Sequence, residues 1–151
     1  MKLRYLYILL LTLIVMSACQ SYSPQKAIEN GDVVFGPGGP ANYEKLDRFM
    51  EDFEHKRVSK LRITSYTEEG DPIIQDLNYN GATIKYQFDS SRDQYGGKQS
   101  GKQKTICQRM EKQASRSVEP LGDRYVLADC QQWIGTYNKE EQTIFVAFRT
   151  E

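Results

Sequence analysis

The chain has 151 residues, room for one domain, and its 20 Lys and Arg balance 20 Asp and Glu. That balance excludes the basic footprint of a nucleic-acid binder. A hydrophobic content of 39%, with ten Tyr and six Phe, excludes a disordered chain.

The N-terminus opens with Lys2 and Arg4, followed by the uncharged run Leu6 to Ala18. A basic start, an apolar run and small residues together predict an export signal. The run of 13 residues falls short of the ~20 that a spanning helix needs. At its end, "MSAC" resembles the lipobox of bacterial lipoproteins, with Met16 in place of the commoner Leu. The resemblance implies cleavage between Ala18 and Cys19 and a diacylglyceryl thioether on Cys19, with an ordinary cleaved signal or a signal anchor as the alternatives. Two acyl chains hold a protein at a membrane where one does so only marginally. Loss of residues 1–18 leaves 18 basic against 20 acidic residues, a formal net charge of −2, so lipid rather than charge would do the holding.

Residues 19–41 are expected to be the lipidated Cys and a flexible spacer, because Pro24 and the run Gly36-Pro37-Gly38-Gly39-Pro40 break regular structure. "DVVF", Asp32 to Phe35, is its one apolar patch, a candidate edge segment. A single domain over 42–151 follows. Asn42 is a predicted N-cap, and Tyr43, Leu46, Phe49, Met50 and Phe53 recur at helical spacing as one apolar stripe. The helix ends near His55, the sole histidine, which reads as a solvated end and not a metal ligand.

From Val58 the period becomes two. Lys60 to Thr67 puts Leu61 and Ile63 on one face and Arg62, Thr64 and Tyr66 on the other. "IIQDLNYNGATIKYQF" predicts a hairpin with a two-residue turn at Asn80-Gly81, pairing Tyr79 with Ala82 and Leu77 with Ile84. A polar loop over 89–103 and strands over 104–112, 124–130 and 142–150 complete the chain. The expected fold class is α+β, one N-terminal amphipathic helix packed on an antiparallel sheet of five to six strands.

The loop holds "GGKQSGKQ", close to the phosphate-cradling pattern G-x-x-x-x-G-K-[ST], but Gln103 stands where the hydroxyl belongs. A β-branched, Cys-containing stretch follows, not a helix, so no nucleotide is expected. Asp89 and Asp93 with Ser90 and Ser91 do not have calcium-loop spacing, and no metal or other cofactor is expected. One His and no G-x-S-x-G leave no catalytic residue to name, and the chain is not expected to be an enzyme. Cys107 and Cys130, in two predicted strands of an exported chain, point to a disulfide; a reduced buried pair and a redox pair are the other readings.

The stretch Arg62 to Gly97, with "RITSYTEEGDP", the Asn-Gly hairpin and "SRDQYGG", together with Cys107 and Cys130, resembles a group of small Gram-positive surface lipoproteins whose domain has no known function. The resemblance covers about residues 30–150 and implies one small surface domain. The expected role is a lipid-anchored binding module at the envelope, tied to the membrane through Cys19 and partnered by an envelope protein or wall polymer. Its candidate surface is Arg62, Thr64, Tyr66, Asp89, Arg92, Asp93 and Tyr95. An envelope hydrolase with an unrecognised carboxylate site, or an inhibitor or sensor of a membrane protein, is the alternative.

Overall fold

The computed structural model describes residues 22–97, 100–115 and 121–150. The signal segment, Ala18 and Cys19 lie outside the described residues. The elements run α1 (Pro24–Glu29), β1 (Val33–Phe35), α2 (Glu44–Glu54), β2 (Ser59–Tyr66), β3 (Pro72–Tyr79), β4 (Ile84–Asp89), β5 (Lys102–Ser115), β6 (Gly122–Cys130), β7 (Tyr137–Asn138) and β8 (Thr143–Thr150).

The fold is mostly β, a curled eight-stranded sheet shaped as a half-barrel, and the α+β expectation of one helix on five or six strands is overturned. The strand order is β1-β2-β3-β4-β5-β6-β8-β7. Neighbours are antiparallel except β1, which lies parallel to β2. The extra strands escaped sequence reading for a simple reason. β1 has three residues and β7 two, too few for alternation to register.

The curl comes from β5. Lys102 to Cys107 pair with β4, and Cys107 to Ser115 pair with β6, so one 14-residue strand serves two halves of the sheet. Helix α2 lies inside the curl. Leu46, Phe49 and Met50 of its stripe are buried with Ile63, Leu77, Tyr86, Leu127 and Ile144, while Tyr43 and Phe53 pack at the margin. The helix also ties the two halves together. The Tyr43 hydroxyl donates to the Phe148 carbonyl at 2.9 Å, Tyr125 donates to Asp47 at 3.0 Å, and Arg149 pairs with the same carboxylate. Deeper in the core, Tyr86 donates to Gln75 Oε1 and Gln75 Nε2 donates to the Val146 carbonyl, joining β4, β3 and β8. Burial pushes the Tyr86 phenol well above its ordinary value.

Three local expectations change. Asn42 has a positive φ of 58° and does not cap α2 with its side chain; its amide donates to the carbonyls of Asp32 and Ile28. The hairpin turn has four residues, with Tyr79 opposite Ile84 and Leu77 opposite Tyr86. Gly81 takes a positive φ but Asn80 does not, and the Asn80 carboxamide accepts from the backbone of Ala82 and Thr83, closing a wider loop. The register moves by two residues, so every side chain keeps its expected face. Residues 22–41, expected to be a spacer, carry α1 and β1, and the Gly36–Pro40 run is a turn that returns Ala41 to Val34.

Candidate functional site

Of the predicted surface residues, Arg62, Thr64 and Tyr66 lie on the outer face of β2, but much of that face is covered by the chain itself. The parallel register sets Val33 beside Ile63 and Val34 beside Thr64, which brings Asp32 over the outer face. Asp32 Oδ2 accepts from the Thr64 hydroxyl and from the Tyr22 hydroxyl, each at 2.7 Å. Asn30 donates to the Tyr22 oxygen at 3.1 Å, and Tyr66 donates to the Tyr22 carbonyl at 2.8 Å. Lys45 Nζ grips the Gly31 carbonyl from helix α2. Thr64 is 0% exposed and Tyr66 is half-buried, so neither belongs to an open surface. Burial, with Tyr22 and Asp32 nearby, leaves the Tyr66 phenol pushed up to about 12. Arg62 stays exposed and forms a two-pronged pair with Asp76, at 2.6 and 3.0 Å. Arg92 lies 5.6 Å from the centre of the Tyr22 ring, within cation–π range. The segment 22–34 is thus a strap held to the sheet by polar contacts.

The loop residues divide in the same way. Asp89 ends β4 and is buried; Oδ1 accepts from the Ser91 backbone and hydroxyl, and Lys102 lies 3.3 Å from Oδ2. Burial alone would raise its pKa, yet the Ser91 and Lys102 contacts outweigh burial and hold the carboxyl below its ordinary value. Asp93 Oδ1 accepts from the Tyr95 backbone, and the Gln94 backbone donates to Asp71 in the β2–β3 turn. Tyr95 is 75% exposed. Lys102 and Gln103 enter β5, so "GGKQSGKQ" leads into a strand and lacks the helix N-terminus that aims amides at a phosphate.

Cys107 and Cys130 stand opposite one another in β5 and β6 and form a disulfide. Just beyond it, on the outer face, is a groove of about 340 Å³ that sequence reading missed. Arg109, Glu111 and Gln113 project from β5, Asp129 is the penultimate residue of β6, and Glu141 and Gln142 precede β8. Trp133 forms one wall, 38% exposed and stacked on Tyr137 with ring centres 4.6 Å apart. Arg109 contacts Asp129 at 2.5 Å and Glu111 at 2.6 Å. Arg124 clasps Glu141 with both prongs and holds its carboxyl below the ordinary range. Asp129 and Gln142 each adopt a φ of 53°, which turns the chain sharply on both sides of the groove. The available sequence signal was the chain's one Trp, in the polar stretch "CQQW" outside any alternating run.

A second groove of about 450 Å³, with Lys85, Lys104 and Gln131 on its walls, lies across β4 and β5. The backbone N–H groups of Gln131 and Gln132 donate to the Ile106 carbonyl and the Thr105 hydroxyl, each at 2.9 Å, so their segment is pinned to β5. Among the described residues, no three of His, Cys, Asp and Glu gather as metal ligands, and no helix is long and apolar enough to cross a membrane.

A family model described as Domain of unknown function (DUF4362) matches residues 30–119, more than half of the chain. The chain belongs to the DUF4362 family. No curated protein and no solved structure matches it. The DUF4362 match takes in β1 through β5, and therefore Asp32, Thr64, Arg109 and Glu111. Asp129, Trp133 and Glu141 fall outside it.

Proposed function

We propose that this DUF4362 chain is a lipid-anchored binding module on the outer side of the cell membrane, and that its binding face is the Trp133 groove. The anchor rests on the basic and apolar N-terminus and on "SAC" at residues 17–19. The observation that carries the binding role is Trp133 itself, a half-open indole on one wall of a groove lined by Gln113, Glu111 and Arg109. The lining is more polar than that of a typical small-molecule pocket, which is mostly apolar, and sets one aromatic wall among several hydrogen-bonding side chains. A sugar ring is the matching chemistry: its C–H face lies on an indole, and its hydroxyls meet amide and carboxylate groups. A wall polymer is therefore the ligand class of choice. An envelope hydrolase has less support, because a general acid needs a carboxyl kept protonated, and Glu141 is held in the opposite sense by Arg124.

The test is co-sedimentation of the purified protein with insoluble cell-wall polymer, wild type against Trp133→Ala. Retention of the wild type and loss of retention in the variant supports the reading. Equal retention of both sinks the groove as the site. Failure of wild type to sediment, with capture of an envelope protein instead, replaces the ligand class.

A further inference from the structure

The strap limits how far Cys19 can stand from the sheet. Tyr22 is bound to Tyr66, Asp32 and Asn30, and Arg92 covers its ring. Between Cys19 and Tyr22 stand only Gln20 and Ser21. Three residue steps reach at most ~11 Å, and the headgroup layer takes up about 6 Å of that. Tyr66 pairs with Pro72, Ile74 with Asp89 and Asp89 with Lys102, so all lie at one end of the sheet, the end where the strap enters. Arg109, at the Trp133 groove, lies seven residues along β5 from Lys102, ~23 Å of strand. A lead of ~11 Å keeps Tyr22 beside the lipid, while the curl of the sheet turns the outer face of β5 and β6, three and four strands along, away from the strap on β2.

We infer that the bilayer abuts the end formed by the β2–β3 turn and the loop over 90–97, with Tyr95 at headgroup depth and the Trp133 groove facing away. The inference rests on Cys19 carrying the lipid, as proposed above. Tyr95 is suited to that depth, because tyrosine has an apolar ring and a polar tip that favour the membrane interface. Arg92 and Lys102 at the same end favour anionic headgroups, while Glu68, Glu69, Asp71, Asp89 and Asp93 oppose them, Asp89 being paired with Lys102. The described residues at this end are therefore acidic in sum, charge does not draw it to the lipid, and the short lead sets the orientation.

The chain's one tryptophan makes the inference measurable. The full-length protein, purified from its own membrane fraction, is reconstituted in phosphatidylcholine–phosphatidylglycerol vesicles and floated. Lipids with a nitroxide on the headgroup then quench nearby indoles. In the floated wild type, Trp133 should keep nearly all its emission. In the double variant Trp133→Phe, Tyr95→Trp, roughly half of the emission should be lost, as for an interfacial aromatic. Inserting about ten Gly and Ser residues between Ser21 and Tyr22, which makes a flexible lead of about 20 Å in all, should weaken quenching at position 95. Equal quenching at positions 95 and 133 in floated protein overturns the orientation and leaves the anchor standing. Protein that does not float removes the anchor and the orientation with it.

Discussion

Two polar regions of the outer face invite comparison, the one around Asp32 and the one around Trp133. The first has the regular alternation that sequence reading takes for a solvated face, and it is filled by the chain's own strap. The second joins Arg109, Glu111 and Gln113 of β5 to residues from irregular segments such as Trp133 and Glu141, and it is the open groove. Alternation reports that a residue points away from one core. It does not report whether water or another stretch of chain covers it. Thr64 shows the point: a hydroxyl at an outward position, fully buried because Asp32 is its partner.

The comparison can be sharpened by substitutions that separate the regions. The largest effect should come from Cys107→Ser with Cys130→Ser. The bridge closes a loop of 23 residues in sequence, worth about 3 kcal/mol in loop-entropy reasoning. Urea unfolding should show that loss, and the Trp133 side should become protease-sensitive before the strap does. A variant as stable as wild type contradicts the assignment. Next is Asp32→Ala, which strips acceptors from the Thr64 and Tyr22 hydroxyls at a cost of about 2 kcal/mol for the stranded groups. Limited proteolysis should then cut within residues 22–31, while wall binding stays intact. A stable, uncut variant denies the strap its role.

Trp133→Ala should behave the other way round. Its ring is partly in solvent, so stability should move by less than about 1 kcal/mol, while polymer affinity falls tenfold or more, ~1.4 kcal/mol. The smallest effect concerns acid. The Asp89 carboxyl is held below its ordinary value of 3.8, so its contribution to stability is complete above that value and is lost as pH falls through the lower folded value. Asp89→Asn should therefore be less stable than wild type near neutrality, and the gap should narrow progressively as pH falls below 3.8. A gap that widens in acid contradicts that sign.

Much of the scaffold was legible. The stripe Leu46, Phe49 and Met50 is buried in α2, and the alternations of β2, β3, β4 and β8 found their faces because one side of each strand meets a core. Gln75 lies buried among the alternating core positions of β3 although it is polar, because its amide is satisfied by Tyr86 and Val146. The curl was not legible, because it depends on how β5 divides between β4 and β6, a pairing between distant residues that no local pattern encodes. The same holds for the strap. The Gly36–Pro40 run, read as a break in structure, is a turn that lets β1 lie on β2. Of the site, Arg62, Arg92 and Tyr95 were found as surface residues, but the groove was missed because Arg109, Asp129, Trp133 and Glu141 are scattered in sequence and meet only once the sheet curls.

The anchor underlies both the orientation and the envelope role, and intact mass of the protein extracted from its membrane fraction tests it most directly. The account predicts a polypeptide that begins at Cys19 and carries a diacylglyceryl adduct. A polypeptide that begins at Met1, without added lipid, contradicts it.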